Sequence, residues 1–499
     1  MLGHRLLSSE RALIALLAAT FVLSLALGGA PRFLPPWTAL FFLSAAMWCI
    51  VYRIEARQGL SAFDSRTDAV LFWSCLTLYL ASFRWHGGDD IPNGMLPYAI
   101  LKHGSLSFDG MRAWAERPGM QDLVINVRGR LVSFYPVAPG VLAVPLYLIP
   151  VACGAVPTDQ FLHNLSKIAG ALITAGSVVL LRRVLLTRCS ARWAALCALV
   201  YGLGTFSYSV NSQALYSHSP VQLGLALALL GFVSEGSAWS FAAGLGLGLA
   251  VACREDSIFF AALGALYVLL HRRDRLAPFI LGALGPAVFL CAYWLRFSGS
   301  LRPPYAEIQS RLFSPFSWNA AFGMLVSPTR GLFLFSPVCL LGLAGIARAA
   351  KDRRARWAPY FAAASFGLWV FTCFRWSWTG GTTFGARYLG PVAFILAFFL
   401  GELEDEVKRS PRLLRLWAGL AAFSVVVHAA GANFVWQGGN WSVERQLAAV
   451  WDWSLHPLVW LFARGGPIGA PLPWRALLAL AFLALGVPLA RWLEAKARA

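Results

Sequence analysis

Two adjacent aspartates, Asp89 and Asp90, stand in the stretch RWHGGDDIPNG directly after an apolar run, and no other Asp-Asp pair occurs in the chain. A carboxylate held near a low-dielectric surface can take the proton of a hydroxyl acceptor as a general base, or ligate a divalent cation through oxygen. The plainer reading is a solvated loop. Three features weigh against it: only 23 of 499 residues are acidic, the pair borders an apolar run, and Gly87-Gly88 lets the backbone turn sharply. Arg84 and His86 are close enough in sequence to tune the pair, so Asp89 and Asp90 are the candidate catalytic residues and, if a metal is used, its candidate ligands.

A second set of residues suits an anion. Lys102, Arg128, Arg130, Arg254, Arg302, Arg311, Arg330, Arg375 and Arg387 fall in the connections that share a side with the acidic pair. Guanidinium groups bind phosphate, and neighbouring aromatics wall an apolar chain or a sugar ring. Tyr135 precedes the apolar segment 137–156, Tyr305 and Arg311 lie in RPPYAEIQSR, and WSWTGGTTFGARYLGP supplies Trp376, Trp378, Arg387 and Tyr388. Lipid headgroup contacts are the simpler role for most of these basic residues, and a lipid belt for the aromatics. In ACREDSIFF an internal salt bridge among Arg254, Glu255 and Asp256 weighs equally with a functional role. In YSHSP, His218 either polarises a substrate or caps a helix with Ser217 and Ser219, capping being the expected role.

The elements that must position these residues are helices in a bilayer. The chain is 58% hydrophobic and 13% charged, and repeated apolar runs approach the roughly 20 residues that a span needs. They fall near 12–29, 37–53, 68–84, 165–183, 193–211, 218–234, 237–253, 256–270, 277–296, 332–349, 357–374, 388–402, 414–434 and 475–492. The expected architecture is therefore an all-α polytopic membrane protein of about 14 transmembrane helices, one transmembrane domain over 1–499. With a cytoplasmic N-terminus, RIEARQ, RRVLLTRCSAR, HRRDR, RAAKDRRAR, KRSPRLLR and the C-terminal EAKARA all fall inside, as short basic loops should. The segment 137–156 breaks that parity and, interrupted by prolines and glycines, reads as re-entrant or juxtamembrane. No cleavable signal peptide is evident.

The net charge of +19 is mostly this topology signal. No basic segment interleaves with aromatics in a soluble domain, so nucleic acid is not an expected partner. Nine scattered cysteines without a CxxC pair read as core residues. The first large outer loop, 85–136, is expected to fold. NGMLPYAILKHG spaces Leu96, Ile100 and Leu101 as an amphipathic interfacial helix, and LVINVRGRLVSFYP reads as a short β-hairpin turning at Gly129. Further outer loops cover 297–331, 375–387 and 435–474.

The order of an acidic pair, then YPVAPGVLAVPLY (Tyr135 to Tyr147), then GGTTFGARYLGP (Gly380 to Pro391) resembles bacterial membrane proteins of the GT-C glycosyltransferase superfamily. That superfamily includes protein O-mannosyltransferases and the aminoarabinose transferases of lipid A. The resemblance implies a GT-C-like fold in the bacterial inner membrane, a polyprenyl-phosphate sugar donor, and inverting transfer on the extracytoplasmic face to a hydroxyl of a glycan, lipid or protein. It makes Asp89, ahead of Asp90, the base. Two expected spans before the helix leading to the acidic loop, and no large C-terminal soluble domain, depart from that family's common layout. A transporter or flippase of lipid-linked sugars, or a glycan polymerase or ligase of another fold, would share the lipid-phosphate chemistry. The first would place charges along a pathway inside the spans, and the second would not need the acidic pair.

Overall fold

The computed structural model describes residues 65–82, 88–381, 383–433 and 442–464. His86, the expected spans at 12–29, 37–53 and 475–492, and parts of the loop 435–474 lie outside them. The principal helices are α1 Ser65–Ala81, α2 Asp90–His103, α3 Ala138–Ala152, α4 Asp159–Leu185, α5 Ala191–Leu203, α6 His218–Val233, α7 Ser237–Cys253 and α8 Ile258–His271. They continue with α9 Leu276–Ser298, α10 Trp318–Val326, α11 Cys339–Ala349, α12 Ala358–Thr372, α13 Gly390–Phe399, α14 Pro411–Asn433 and α15 Pro457–Arg464. Strands β1 Val124–Val127 and β2 Arg130–Ser133 pair antiparallel, with Val127 opposite Arg130, so the chain reverses at Arg128 and Gly129.

Among the described residues, Asp159–Leu185, Arg273–Ser298 and Pro411–Ala432 are long and apolar enough to cross a membrane, which marks an integral membrane protein. Other apolar runs resolve into shorter helices, several of them for a local reason. Pro337 separates the single turn Leu332–Phe335 from α11, since proline supplies no amide donor to continue the ladder. After Phe399, α13 tightens into a 3-10 turn over Leu400–Leu403, and α5 ends at Gly204 before a π-helical turn over Ser207–Asn211. The 15 residues of α3, at a rise of about 1.5 Å each, fall short of the roughly 30 Å hydrocarbon core.

Contacts divide the described residues into two compact units. The first holds 65–69, 88–173 and 214–311. Its centre is α7, packed against α6 and α9. Helices approach this closely only where side chains are absent: a Cβ on Gly244 would collide with the Phe279 carbonyl, and one on Gly282 with the Phe241 carbonyl. The loop region 88–136 belongs to this unit, and its helix differs from the interfacial one expected. In α2 the residues Asp90 and Pro92 through Leu101 are all buried, leaving Lys102 and His103 exposed at the end. The apolar spacing of Leu96, Ile100 and Leu101 marks one face correctly. Most of the other positions, Pro92, Asn93, Gly94, Met95, Pro97, Tyr98 and Ala99, are uncharged and are enclosed as well, and α3 packs on α2, with Gly140 against Leu96.

The second unit holds 70–82, 174–213 and the described residues from 312 onward. There α11 packs on α13, and a buried imidazole joins three segments: His428 of α14 bonds Ser209 Oγ through Nδ1 and Ser336 Oγ through Nε2, both at 2.7 Å.

Candidate functional site

Gly88, at φ +114°, makes the turn that delivers the acidic pair to the start of α2. Asp89 occupies the N-cap position and Asp90 the first helical position, where the helix dipole favours negative charge. Both are nearly inaccessible, 2% and 1% exposed, so these carboxylates are not the solvated loop residues that composition alone would make them. Asp89 Oδ2 accepts hydrogen bonds from the Ser217 amide at 3.1 Å and its hydroxyl at 3.0 Å, which fixes the carboxylate's direction. Asn93, one turn further along α2, donates to the Leu215 carbonyl at 3.2 Å, and the Leu215 amide donates to Ser166 Oγ at 2.9 Å. Together these bonds locate the acidic turn against the start of α6.

The residues that follow Ser217 extend the polar cluster. His218 opens α6, and its Nε2 lies 3.2 Å from Arg254 Nη1. Since a guanidinium only donates, His218 Nε2 is the acceptor of this bond. The expected cap does not form. Ser217 makes no side-chain cap and gives its hydroxyl to Asp89, while Ser219 Oγ donates to the Tyr216 carbonyl at 2.9 Å.

Arg254 also bonds Asp256, Nε to Oδ1 at 3.1 Å and Nη2 to Oδ2. Of the expected triad, Arg254 and Asp256 thus form the ion pair. Glu255 accepts instead from the Tyr305 hydroxyl. Burial, partly offset by that hydroxyl, raises the Glu255 carboxyl above its ordinary range. Burial also raises the Tyr305 phenol well above its ordinary value, with Glu255 adding to it. Phe134 meets the Tyr305 ring edge-on at 6.3 Å. Bonds thus join Asp89 to Ser217, the residue before His218, and His218 to Arg254, while Tyr305 bonds Glu255, the residue after Arg254, so four separate stretches of sequence meet in the first unit.

Other candidates of that unit sit apart from these bonds. Lys102 is exposed at the end of α2. Tyr135 is half-buried, its amide on Ser133 Oγ and its ring against Phe134. Arg130 pairs with Asp109 at 3.0 Å, and Asp109 also accepts from the Leu131 amide and Ser107; these bonds outweigh burial and hold its carboxyl below the ordinary range. Arg128, in the left-handed region at φ +53°, is exposed with its guanidinium over Gly299. Arg311 is exposed and pairs with Glu307, one turn away, at 3.3 Å.

In the second unit the Gly380-Gly381 loop surrounds a buried arginine. Arg330, 2% exposed, donates to the Thr383 carbonyl, to the Gly381 carbonyl at 2.9 Å and to Gln446 Oε1 at 3.2 Å. Thr379 donates to the same Gln446 oxygen at 2.9 Å. Burial, with Arg387 beside it, lowers Arg330 to about 9, so it stays cationic at neutral pH. The Tyr388 ring is met by two guanidiniums, Arg375 at 5.1 Å and Arg387 at 5.4 Å. Trp378 is buried over Gly323, whereas Trp376 remains 41% exposed.

Ser166, Asn93, Gln446 and Thr379 carry no signal in the sequence. Each is a single polar residue in an apolar or mixed stretch, and only its distant partner reveals its use. Among the described residues no three His, Cys, Asp or Glu side chains gather as a metal set.

No family model and no curated protein matches the chain. Solved structures similar to it include three glycosyl-group transferases. ArnT from Cupriavidus metallidurans, bound to undecaprenyl phosphate, is 17% identical with a TM-score of 0.45, over 85% of this chain and 76% of that one. The archaeal oligosaccharyltransferase AglB from Archaeoglobus fulgidus, in complex with an inhibitory peptide and a dolichol-phosphate, is 11% identical at 0.43, over 77% and 57%. The arabinosyltransferase EmbB from Mycobacterium smegmatis is 15% identical at 0.45, over 92% of this chain and 43% of that one. At these identities and TM-scores the likenesses assign no residue a role.

Proposed function

We propose that the chain is a membrane glycosyltransferase of the GT-C type, which moves a sugar from a polyprenyl-phosphate donor to a hydroxyl acceptor on the extracytoplasmic side. The observation that carries this reading is the buried acidic pair with Asp89 aimed by Ser217, the residue before His218, which in turn meets the Arg254 ion pair. Asp89 is the base. It takes the acceptor hydroxyl's proton while that oxygen bonds the anomeric carbon and the bond from that carbon to the phosphate oxygen breaks on the opposite face, inverting the centre. The leaving lipid phosphate gains negative charge, and a guanidinium already in place stabilises it without reorganisation. Arg254 has that role in the acidic cluster.

Purified protein, incubated with radiolabelled polyprenyl-phosphate sugars and membrane extract, should place label on an acceptor. Asp89→Asn should lower the rate by about 100- to 10,000-fold, the usual contribution of a general base, with the protein still inserted and folded. Normal transfer by an Asp89→Asn/Asp90→Asn double variant would overturn the assignment.

A further inference from the structure

A cavity of about 410 Å³ opens at one end of α9, lined by Gly104, Ser105, Leu106, Arg130, Ala292, Arg296 and Phe297. It lies wholly within the first unit. We infer that it is a binding site for the headgroup of an anionic phospholipid. Charge is the first argument. Arg130 and Arg296 line the cavity and Arg128 lies over Gly299 just past the end of α9, while the carboxylate bonded there, Asp109, balances only one of the three. Position is the second. Arg273–Ser298 is long and apolar enough to cross a membrane and only a third buried, so Arg296 stands within its last turn, at the depth where headgroups lie.

The third argument is the surface that leads to the cavity. Ile280, Leu281, Leu284, Val288 and Leu295 of α9 are 37–57% exposed, an apolar strip along the helix that ends beside Arg296. A lipid with its phosphate between Arg130 and Arg296 has its acyl chains on that strip. Leu106, Ala292 and Phe297 offer the glycerol region an apolar wall. A soluble phosphate would satisfy the arginines but leave the strip unused, so the occupant is the lipid.

Native mass spectrometry of the full chain, released from detergent with phosphatidylglycerol or phosphatidylcholine, tests this. The wild type should retain phosphatidylglycerol preferentially. Arg296→Gln should cut retention about five- to tenfold, Arg130→Gln/Arg296→Gln should cut it further, and Arg296→Lys should recover most of it. Millimolar glycerol 3-phosphate should not compete. Equal retention of the two lipids, unchanged retention in Arg296→Gln, or displacement by glycerol 3-phosphate would each overturn the inference. Arg296 is exposed and its guanidinium rests over the Phe297 ring, so Arg296→Gln keeps the fold and decides the matter even if loss of the Asp109 partner unfolds the double variant.

Discussion

At the scale of single residues the proposed chemistry depends on Ser217 as much as on Asp89. The serine supplies two donors to one carboxylate oxygen, of which Ser217→Ala removes only the hydroxyl. Losing one of two orienting bonds should lower kcat of the transfer reaction by about 5- to 30-fold, the equivalent of roughly 1–2 kcal/mol, with KM for the donor little changed. Steady-state kinetics would separate this from Asp89→Asn; an unaltered kcat would show that the amide alone holds the base. Tyr305→Phe makes a second residue-scale case, because it leaves the raised Glu255 carboxyl buried without its hydroxyl. It should destabilise by about 1–3 kcal/mol, and Glu255→Gln in the same chain should recover less than half, measured as thermal unfolding in detergent. Asp89, Asp90, His218, Arg254 and Tyr305 were legible because charge and polarity are rare in this sequence. Their grouping was not, since the partners of Asp89 and Glu255 stand 128 and 50 residues away. His218 shows the limit of local reading: YSHSP has the composition of a cap, and a remote carboxylate took the serine.

Helices were legible at the scale of elements wherever apolar runs are continuous, and so was the hairpin, because turn chemistry at Arg128-Gly129 is local. What sequence periodicity missed is enclosure. In α2 one apolar stripe is visible, yet the helix is covered on its other faces too, which depends on how small Gly94 and Ala99 are beside their neighbours and not on any period. Small residues also decide the α7–α9 contact. Gly282→Leu places a branched side chain where the Phe241 carbonyl already stands, forcing the helices apart. Overpacking of this kind costs about 1–3 kcal/mol where neighbours yield and more against backbone. The expected result is loss of folded, monodisperse protein in size-exclusion chromatography, whereas Gly419→Leu on α14, with open space at its Cβ position, should behave as wild type. Equal yields from both would show that the α7–α9 crossing has room to spare.

For the whole molecule, charge fixes the response to pH. The net charge of +19 makes self-repulsion grow as carboxylates protonate, and two groups, the buried His456 and the hydrogen-bonded Asp109, add to that acid sensitivity. Burial lowers His456 to about 4 from its ordinary value near 6.5, so the unfolded chain takes up a proton that the folded one refuses, and stability falls as pH drops from about 6.5 to about 4. Asp109, held below its ordinary range, contributes stability above the unfolded value that is lost only at lower pH. Glu255 alone opposes, because a raised carboxyl is most stabilising while protonated. The His456 contribution falls between pH 6.5 and about 4. Each tenfold difference in proton affinity between the folded and unfolded imidazole is worth about 1.4 kcal/mol, and the whole effect reaches roughly 3 kcal/mol. His456→Phe keeps the ring contacts with Phe335 and Trp453 and cannot titrate. Thermal unfolding in detergent should show the wild-type midpoint falling steeply from pH 6.5 to 4.5 and the variant's falling less, with the two curves meeting near neutral pH. Parallel curves would mean that His456 becomes protonated without unfolding cost, and that self-repulsion and Asp109 carry the acid response.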